Sequence, residues 1–253
     1  MQKEFKPLLS VITVVFNNVE HIERTVLSVV NQTYSEIQYI VIDGVSTDGT
    51  LEILQRFNNN IDVLVSEPDK GIYDAMNKGL KIAKGEYVLF MNSGDEFYEN
   101  NTVKQVFEST PNADIYYGET EMLDENLVNQ GRRRHQTPLQ LNIESFKYGM
   151  SVSHQAIFIK KIIVKSYDQK FKLSADIDWI LDAIVRADKI VNTQIVTTKY
   201  LMGGLSKKKH LQSLKERYQI FKKYYGFLPN LFNHVVIAKN LAWFYLKNRK
   251  TND

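Results

Sequence analysis

The chain has 253 residues, 43% of them hydrophobic and 24% charged, with a formal net charge of +3 and no cysteine. That length and balance give a sizeable core in one large domain or one domain with an appendage, and exclude disordered and collagen-like chains. The lack of cysteine excludes disulfides, thiolate zinc sites and cysteine nucleophiles together, and fits a cytosolic address.

Residues 1–7 hold Lys3, Glu4 and Lys6 without a signal-type apolar core and cleavage site, so no export is expected. Residues 8–16 form a near-continuous β-branched run, the pattern of a strand buried on both faces of a parallel sheet. Ile22, Val26, Val29 and Val30 then recur at helical spacing, and residues 32–34 end that helix. Residues 37–42 read as a second strand closing on Asp43 and Gly44. Ser46, Thr47 and Asp48 offer an N-cap cluster for a helix through Phe57, with Leu51, Ile53 and Leu54 as its apolar contacts. Residues 61–65 predict a third strand. Ile72, Met76, Leu80 and Ala83 share one helical face between Asp69 and Gly85, and residues 87–91 predict a fourth strand. Four alternations with short connections predict an α/β fold built from right-handed βαβ units, a doubly wound, mostly parallel sheet. This regular half ends near residue 100.

Beyond it the alternation weakens. Residues 114–117 and 155–159 read as strands, residues 131–135 as a polar loop, and residues 175–187 as a helix. Residues 206–250 read as two helices separated by residues 226–229. The expected division is therefore a main domain, 1–205, in halves 1–100 and 101–205, with a helical appendage, 206–253. Charge divides the same way: the appendage carries +9 and the first 205 residues −6. Its apolar stretch, residues 235–246, is broken by Lys239 and Asn240 and falls short of the roughly 20 residues a membrane span requires. Lys207–Lys209, Lys215, Arg217, Lys222 and Lys223 interleave with Tyr218, Phe221, Tyr224, Tyr225, Phe227, Phe232, Trp243 and Phe244. Such a composition suits an anionic membrane surface better than nucleic acid. Aromatics packed inward with lysines outward fit it equally well.

Polar and flexible residues cluster where two predicted strands end, in residues 66–79 (SEPDKGIYDAMNKG) and 90–95 (FMNSGD). Strand ends are where an open α/β sheet holds a ligand. Residues 17–27 contain no glycine, which excludes the glycine-rich turn of a dinucleotide-binding dehydrogenase, and no GxxxxGK[ST] phosphate loop occurs.

With residues 9–17 and Asp43, these motifs resemble the nucleotide-sugar-binding half of family 2 glycosyltransferases of the GT-A fold, strongly over residues 8–120 and more weakly over 150–206. The resemblance implies an inverting transfer of a sugar from a nucleoside diphosphate, taken as UDP, to a hydroxyl of a glycan or polyprenyl-diphosphate-linked acceptor. It implies that Thr13, Phe16 and Asn17 line the base pocket and that Asp43 and Asp69 contact base or ribose. On the following helix, Asn77 and Lys78 face the ligand, while Tyr73 packs. Asn92, Ser93, Gly94 and Asp95 stand where the family carries an Asp-x-Asp metal motif, leaving Asp95 as the one carboxylate to hold Mn²⁺ or Mg²⁺. Residues 173–179 (LSADIDW) stand where the family places Glu-Asp at a helix start, with Ala175 in place of the glutamate. Asp176 is then the general base and Asp178 the reserve, with His154 on the acceptor side. Residues 202–206 resemble a Gly-Gly-x-Ser loop that closes over the diphosphate. Arg132–Arg134 read as a solvated charge run, with phosphate contact as the alternative, and Trp179 as packing. The implied address is cytoplasmic, peripheral on the inner membrane face. Two alternatives stay open. A nucleotide-sugar-binding scaffold that has lost catalysis accounts for the depleted metal motif. A sugar nucleotidyltransferase shares a related sheet, but its glycine-rich signature after strand one is absent.

Overall fold

The computed structural model describes residues 7–133, 137–203 and 209–249. At its centre lies β1 (Leu9–Val15), all seven residues of which are buried. Unbroken burial follows from helices covering both faces, which leaves no solvent side on which polar residues would alternate. β1 pairs in parallel with β2 (Ile37–Asp43) and with β4 (Tyr87–Phe90), and β2 pairs in parallel with β3 (Val63–Ser66). The connections are α1 (Ile22–Val30), α2 (Thr50–Arg56) and α3 (Ile72–Ile82). Val11, Val15, Val41 and Leu89 join one core with α1 and α2, while Ile12, Val14, Ile40, Ile42 and Phe90 join another with α3. A Cβ on Gly79 in α3 would lie 2.4 Å from Cγ2 of Ile12, so the missing side chain is what lets this helix sit so close to β1.

Among the described residues the sheet has nine strands, ordered β3-β2-β1-β4-β8-β6-β9-β5, with β7 paired to β6. The outer part comprises β5 (Glu96–Phe97), β6 (Ile115–Leu123), β7 (Asn129–Arg132), β8 (Ile157–Lys160) and β9 (Ile190–Leu201), together with α4 (Thr102–Ser109) and α5 (Ala175–Arg186). The chain runs outward from β1 to β3 and then returns to β4 on the far side of β1. Such a reversal opens a crevice beyond the carboxyl ends of the strands. The loops after β1 and β4 meet there: Asn18 Nδ2 donates to Ser93 Oγ at 2.9 Å.

Four elements escaped the sequence pattern, each for a local reason. β7 is exposed at every residue, so an edge strand with no apolar face reads as the polar loop expected at 131–135. β9 breaks its own alternation, with Gln194 at φ 58° and register shifts against β6. β5 has only two residues, and α4 only eight. The N-cap expected from Ser46, Thr47 and Asp48 takes another form: Gly49, at φ 100°, caps α2, and Asp48 accepts from the Thr50 N–H at 3.0 Å.

The C-terminal helices are α6 (His210–Tyr225) and α7 (Phe227–Arg249), parted at Gly226 with φ 80°. Pro229 falls in the first turn of α7, where its missing N–H leaves no helical bond unmade. α6 lies along α5. Its Ile220 and Phe221 belong to the core that holds α3 and α5. Ser213 Oγ meets Ser174 Oγ at 3.1 Å, Lys223 Nζ lies 2.7 Å from Asp178 Oδ1, and Tyr224 donates to the Asp178 carbonyl at 3.0 Å. The buried Glu216 carboxylate accepts the backbone N–H groups of Lys172 (3.1 Å) and Leu173 (2.8 Å). A buried donor left without a partner costs about 1–3 kcal/mol. Glu216→Ala strands two of them, so a loss on the order of 3 kcal/mol is expected in urea unfolding. A midpoint unchanged to within about 0.5 kcal/mol would show that water replaces the carboxylate.

These contacts narrow the anionic-membrane expectation. Phe221, Tyr224 and Tyr225 pack or bond inward, Lys223 pairs with Asp178, and Lys222 lies over the Phe227 ring. Phe227, Leu228, Leu231, Phe232 and Val235 remain exposed along one face of α7. Lys207 and Lys208 and the side chains of Trp243 and Phe244 lie outside the described residues. No described helix is long and apolar enough to cross a membrane.

Candidate active site

At the ends of β1 and β2 the structure separates exposed groups from committed ones. Phe16 is 63% exposed, and Asn17 beside it holds φ 48°. Asn17 is pinned by two bonds, its N–H to Ser46 Oγ at 2.8 Å and its Oδ1 from the Thr47 N–H at 2.8 Å. Asp69 Oδ1 accepts the Gly71 N–H at 2.7 Å. A Cβ on Gly44 would lie 2.6 Å from Asp69 Oδ2 and 3.2 Å from Cδ2 of Phe16, so this glycine lets ring and carboxylate share one slot. An open aromatic face beside a carboxylate oxygen suits a planar base that offers N–H groups.

Four residues expected here point elsewhere. Asp43 is fully buried and accepts from Ser46 Oγ (2.5 Å), Ser66 Oγ (2.6 Å) and the Val45 N–H (3.1 Å), so it shapes the loop and has no face toward a base. Thr13 is buried with its hydroxyl donating to the Met91 carbonyl at 2.8 Å. Asn77 spends its amide on the Tyr167 backbone, accepting at 2.7 Å and donating at 3.0 Å. Lys78 is held by Glu67 at 2.9 Å and the Pro68 carbonyl at 2.7 Å. Each sits at the anticipated strand end or helix face with its polar atoms already committed.

The loop after β4 carries the expected metal motif. Gly94, at φ 103°, donates to Thr25 Oγ1 at 2.8 Å. Asp95 is 4% exposed, and both its oxygens are engaged: Oδ2 accepts from Gln155 Nε2 at 2.6 Å and Oδ1 from the Leu201 N–H at 3.0 Å. Burial pushes its pKa up to about 7, against the Gln155 bond, the His154 charge and the Leu201 N–H. A divalent cation needs ionised, outward-facing oxygen ligands. The other oxygen here, Asn92 Oδ1, is buried without a partner but neutral. Among the described residues no three His, Cys, Asp or Glu side chains converge as a metal site. With both oxygens of Asp95 engaged and Asn92 neutral, these residues as they stand do not fit a resident cation, against the expectation for Asp95.

Beside that loop four side chains from four segments form a chain of contacts. Asn92 Nδ2 lies 3.0 Å from His154 Nε2, His154 Nδ1 lies 3.5 Å from Asp176 Oδ2, and the Tyr73 hydroxyl donates to Asp176 Oδ1 at 3.1 Å. His154 Nδ1 thus faces the Asp176 carboxylate, and its Nε2 faces the Asn92 amide. Asp176 stands in the first turn of α5, where a carboxylate is favoured. Burial alone would raise its pKa, but the His154 bond and charge, the Arg217 charge and the Tyr73 bond outweigh it and lower the net value. The carboxylate is therefore ionised at neutral pH. Burial and the Asp176 charge hold the Tyr73 pKa well above its usual value, so that hydroxyl remains a donor.

Asp178, two residues on, faces the opposite way and pairs with Lys223; the structure removes it from the site. Trp179 is core, as expected, stacked on Tyr167 with centroids 5.0 Å apart. The Gly-Gly-x-Ser loop has Gly203 at φ 116°, while residues 204–206 lie outside the described residues. Sequence reasoning preferred a solvated run over phosphate contact for Arg133 and gave Arg217 no role in the site, yet the charges of both reach it. Arg133, expected in a solvated run, is half-buried, with its Nη1 out of solvent; Arg134 lies outside the described residues. For Arg217 a signal existed: Ser213, Glu216, Ile220 and Phe221 define one buried face of α6, and Arg217 lies on it.

Comparison with known proteins identifies the family and the fold. Residues 10–166 match the family model described as glycosyl transferase family 2. A PGL/p-HBAD biosynthesis glycosyltransferase of Mycobacterium bovis is 28% identical over 212 residues, covering 79% of each chain. Among solved structures, Staphylococcus aureus TarS 1-349 in complex with UDP-GlcNAc superimposes with a TM-score of 0.63 at 18% identity, over 92% of this chain and 71% of that one. The mannosyltransferase PcManGT of Pyrobaculum calidifontis, in complex with GDP-Man and Mn²⁺, gives a TM-score of 0.64 at 16% identity, over 92% and 70%. At these identities the two structures establish the shared fold.

Proposed function

The chain belongs to glycosyl transferase family 2, and from that premise we propose that it is an inverting glycosyltransferase with Asp176 as its general base. The observation that carries this reading is the Asp176 carboxylate, ionised and held between Tyr73 and His154 beside the loop after β4. The Phe16, Gly44 and Asp69 slot takes the base of the donor, and we assign UDP because TarS, of the same fold, was solved with UDP-GlcNAc. The acceptor is a hydroxyl of a surface-glycan or lipid-linked precursor, in line with the relative named for PGL/p-HBAD biosynthesis.

Asp176 takes the proton of the acceptor hydroxyl as its oxygen attacks the anomeric carbon, the bond from that carbon to the diphosphate oxygen breaks, and the nucleoside diphosphate leaves from the opposite face. Tyr73 and His154 orient the carboxylate. The His154 Nδ1 faces the carboxylate and the Tyr73 hydroxyl donates to it, so both stabilise the anion in place. We keep residues 1–205 as the catalytic domain, with residues 206–253 as the appendage that braces it.

Two measurements test the reading together. UDP is expected to bind at least about tenfold more tightly than GDP or dTDP in calorimetry, a difference of about 1.4 kcal/mol. Sugar transferred from a UDP-sugar to a simple alcohol acceptor is expected to show the inverted anomeric configuration by NMR. A retained configuration would sink the single back-face displacement assisted by one base.

A further inference from the structure

Among the described residues, two half-buried guanidinium groups near Asp176 each have a buried nitrogen without a partner. Arg133, just beyond β7, donates from Nη2 to the Met150 carbonyl at 3.0 Å, but its buried Nη1 has no partner. Arg217, on α6, has a buried Nε with no partner. Other partly buried arginines have a carboxylate: Arg24, whose Nη1 is likewise buried without a partner, pairs with Glu96, and Arg186 pairs with Asp182 at 3.0 Å. Among the described residues no carboxylate lies within 4.0 Å of either Arg133 or Arg217, and the oxygens of Asp176 face His154 and Tyr73 instead. Burial lowers the pKa of Arg133, and the Arg217 charge lowers it further, so the two cations lie within reach of each other.

Buried donors left unpaired are costly, and although the Asp176 charge reaches both guanidinium groups, neither makes a contact with its oxygens. An arrangement of this kind persists where an anion completes it. We propose that Arg133 and Arg217 form the seat of the donor's diphosphate, supplying the countercharge that the loop after β4 does not supply. The chemical identity of that anion rests on the glycosyltransferase reading; the cationic seat itself does not. Guanidinium is suited to the task because its planar donors match phosphate oxygens in pairs and it stays charged throughout the reaction.

The placement gives the C-terminal helices a role in binding. α6 is fixed to the strand-and-helix framework through Glu216, Ser213 and Lys223. The same helix therefore carries Arg217 to the site and braces α5, the helix that presents Asp176. Arg133 approaches from the opposite part of the chain, after the β6 and β7 hairpin.

The test uses the full chain in EDTA, with UDP, uridine and inorganic pyrophosphate as probes and Arg133→Gln, Arg217→Gln and Arg217→Lys as variants. Wild type is expected to bind UDP without added metal. Each Gln variant should lose about 10–100-fold in affinity for UDP and pyrophosphate, as for a charge-assisted hydrogen bond removed, while uridine binding stays within twofold. Arg217→Lys should fall between. Melting temperatures of the Gln variants should stay close to that of wild type, because neither guanidinium makes an ion pair within 4.0 Å among the described residues. UDP affinity within threefold of wild type in both Gln variants would overturn the proposal, as would wild-type UDP binding that appears only with Mn²⁺. So would a loss shared equally by uridine and accompanied by lower melting, which assigns the arginines to the scaffold. If pyrophosphate binds through these arginines but no nucleoside diphosphate does, the seat stands and the nucleotide-sugar reading fails.

Discussion

Asp176→Asn is expected to cut sugar transfer by at least about 10², within the 10²–10⁴ that a positioned general base contributes, and to leave UDP affinity unchanged. The amide keeps the size of the side chain and can still accept from Tyr73, now at 3.1 Å, but it cannot take a proton. Because His154, Arg217 and Tyr73 lower the pKa of Asp176 despite its burial, transfer should stay level through neutral pH and fall only below the ordinary carboxylate range. Asp178→Asn is the internal control. It breaks the pair with Lys223 at 2.7 Å, on the side of α5 away from the site, so it should cost stability and spare the chemical step. Asp176→Asn transfer within a few-fold of wild type would place the base elsewhere, and His154 would be the next residue to test.

The half of the fold built from β1 to β4 is legible because each strand is a short apolar run and each helix a clean 3.6-residue repeat. Patterns of that kind depend on neighbours a few residues away. Asp43 and Asn77 show where such reading stops. Both stand where a ligand contact is anticipated, but Asp43 is engaged by Ser66, 23 residues away, and Asn77 by Tyr167, 90 residues away. A strand end tells where a side chain begins and says nothing of what its oxygens already hold. Asp176 was legible for the opposite reason: its helix start is a local signal. Its partners Tyr73 and His154 come from elements that only the closed sheet brings together, and Tyr73 had been read as packing. Arg217 was hidden by composition. Among many lysines and aromatics in a basic tail, one arginine on the buried face of an amphipathic helix looks like one more solvated charge.

The same limit explains Asp95, whose expected behaviour differs from that of a metal ligand. Asp95→Asn is expected to make the protein more stable than wild type above neutral pH and no different in acid. Burial raises the folded-state pKa of Asp95 from 3.8 to about 7. A raised carboxylate pKa means the fold prefers the protonated form. Its contribution is thus fully present below about 4 and is lost as the pH climbs through about 7, since the unfolded chain ionises first. Three pKa units correspond to about 4 kcal/mol at 1.36 kcal/mol per unit. Asparagine cannot ionise, and Gln155 can turn its amide to keep a bond to it, so the variant escapes that loss. Chemical unfolding of both proteins from pH 4 to pH 8.5 should give a difference that grows between about pH 4 and pH 7, then levels. Contributions from other groups cancel in the subtraction. A difference flat to within about 1 kcal/mol across that range would mean that Asp95 is ionised in the native state throughout. A charged carboxylate at this position would reopen the loop after β4 as a place for a cation, and would weaken the case that arginines carry the countercharge alone.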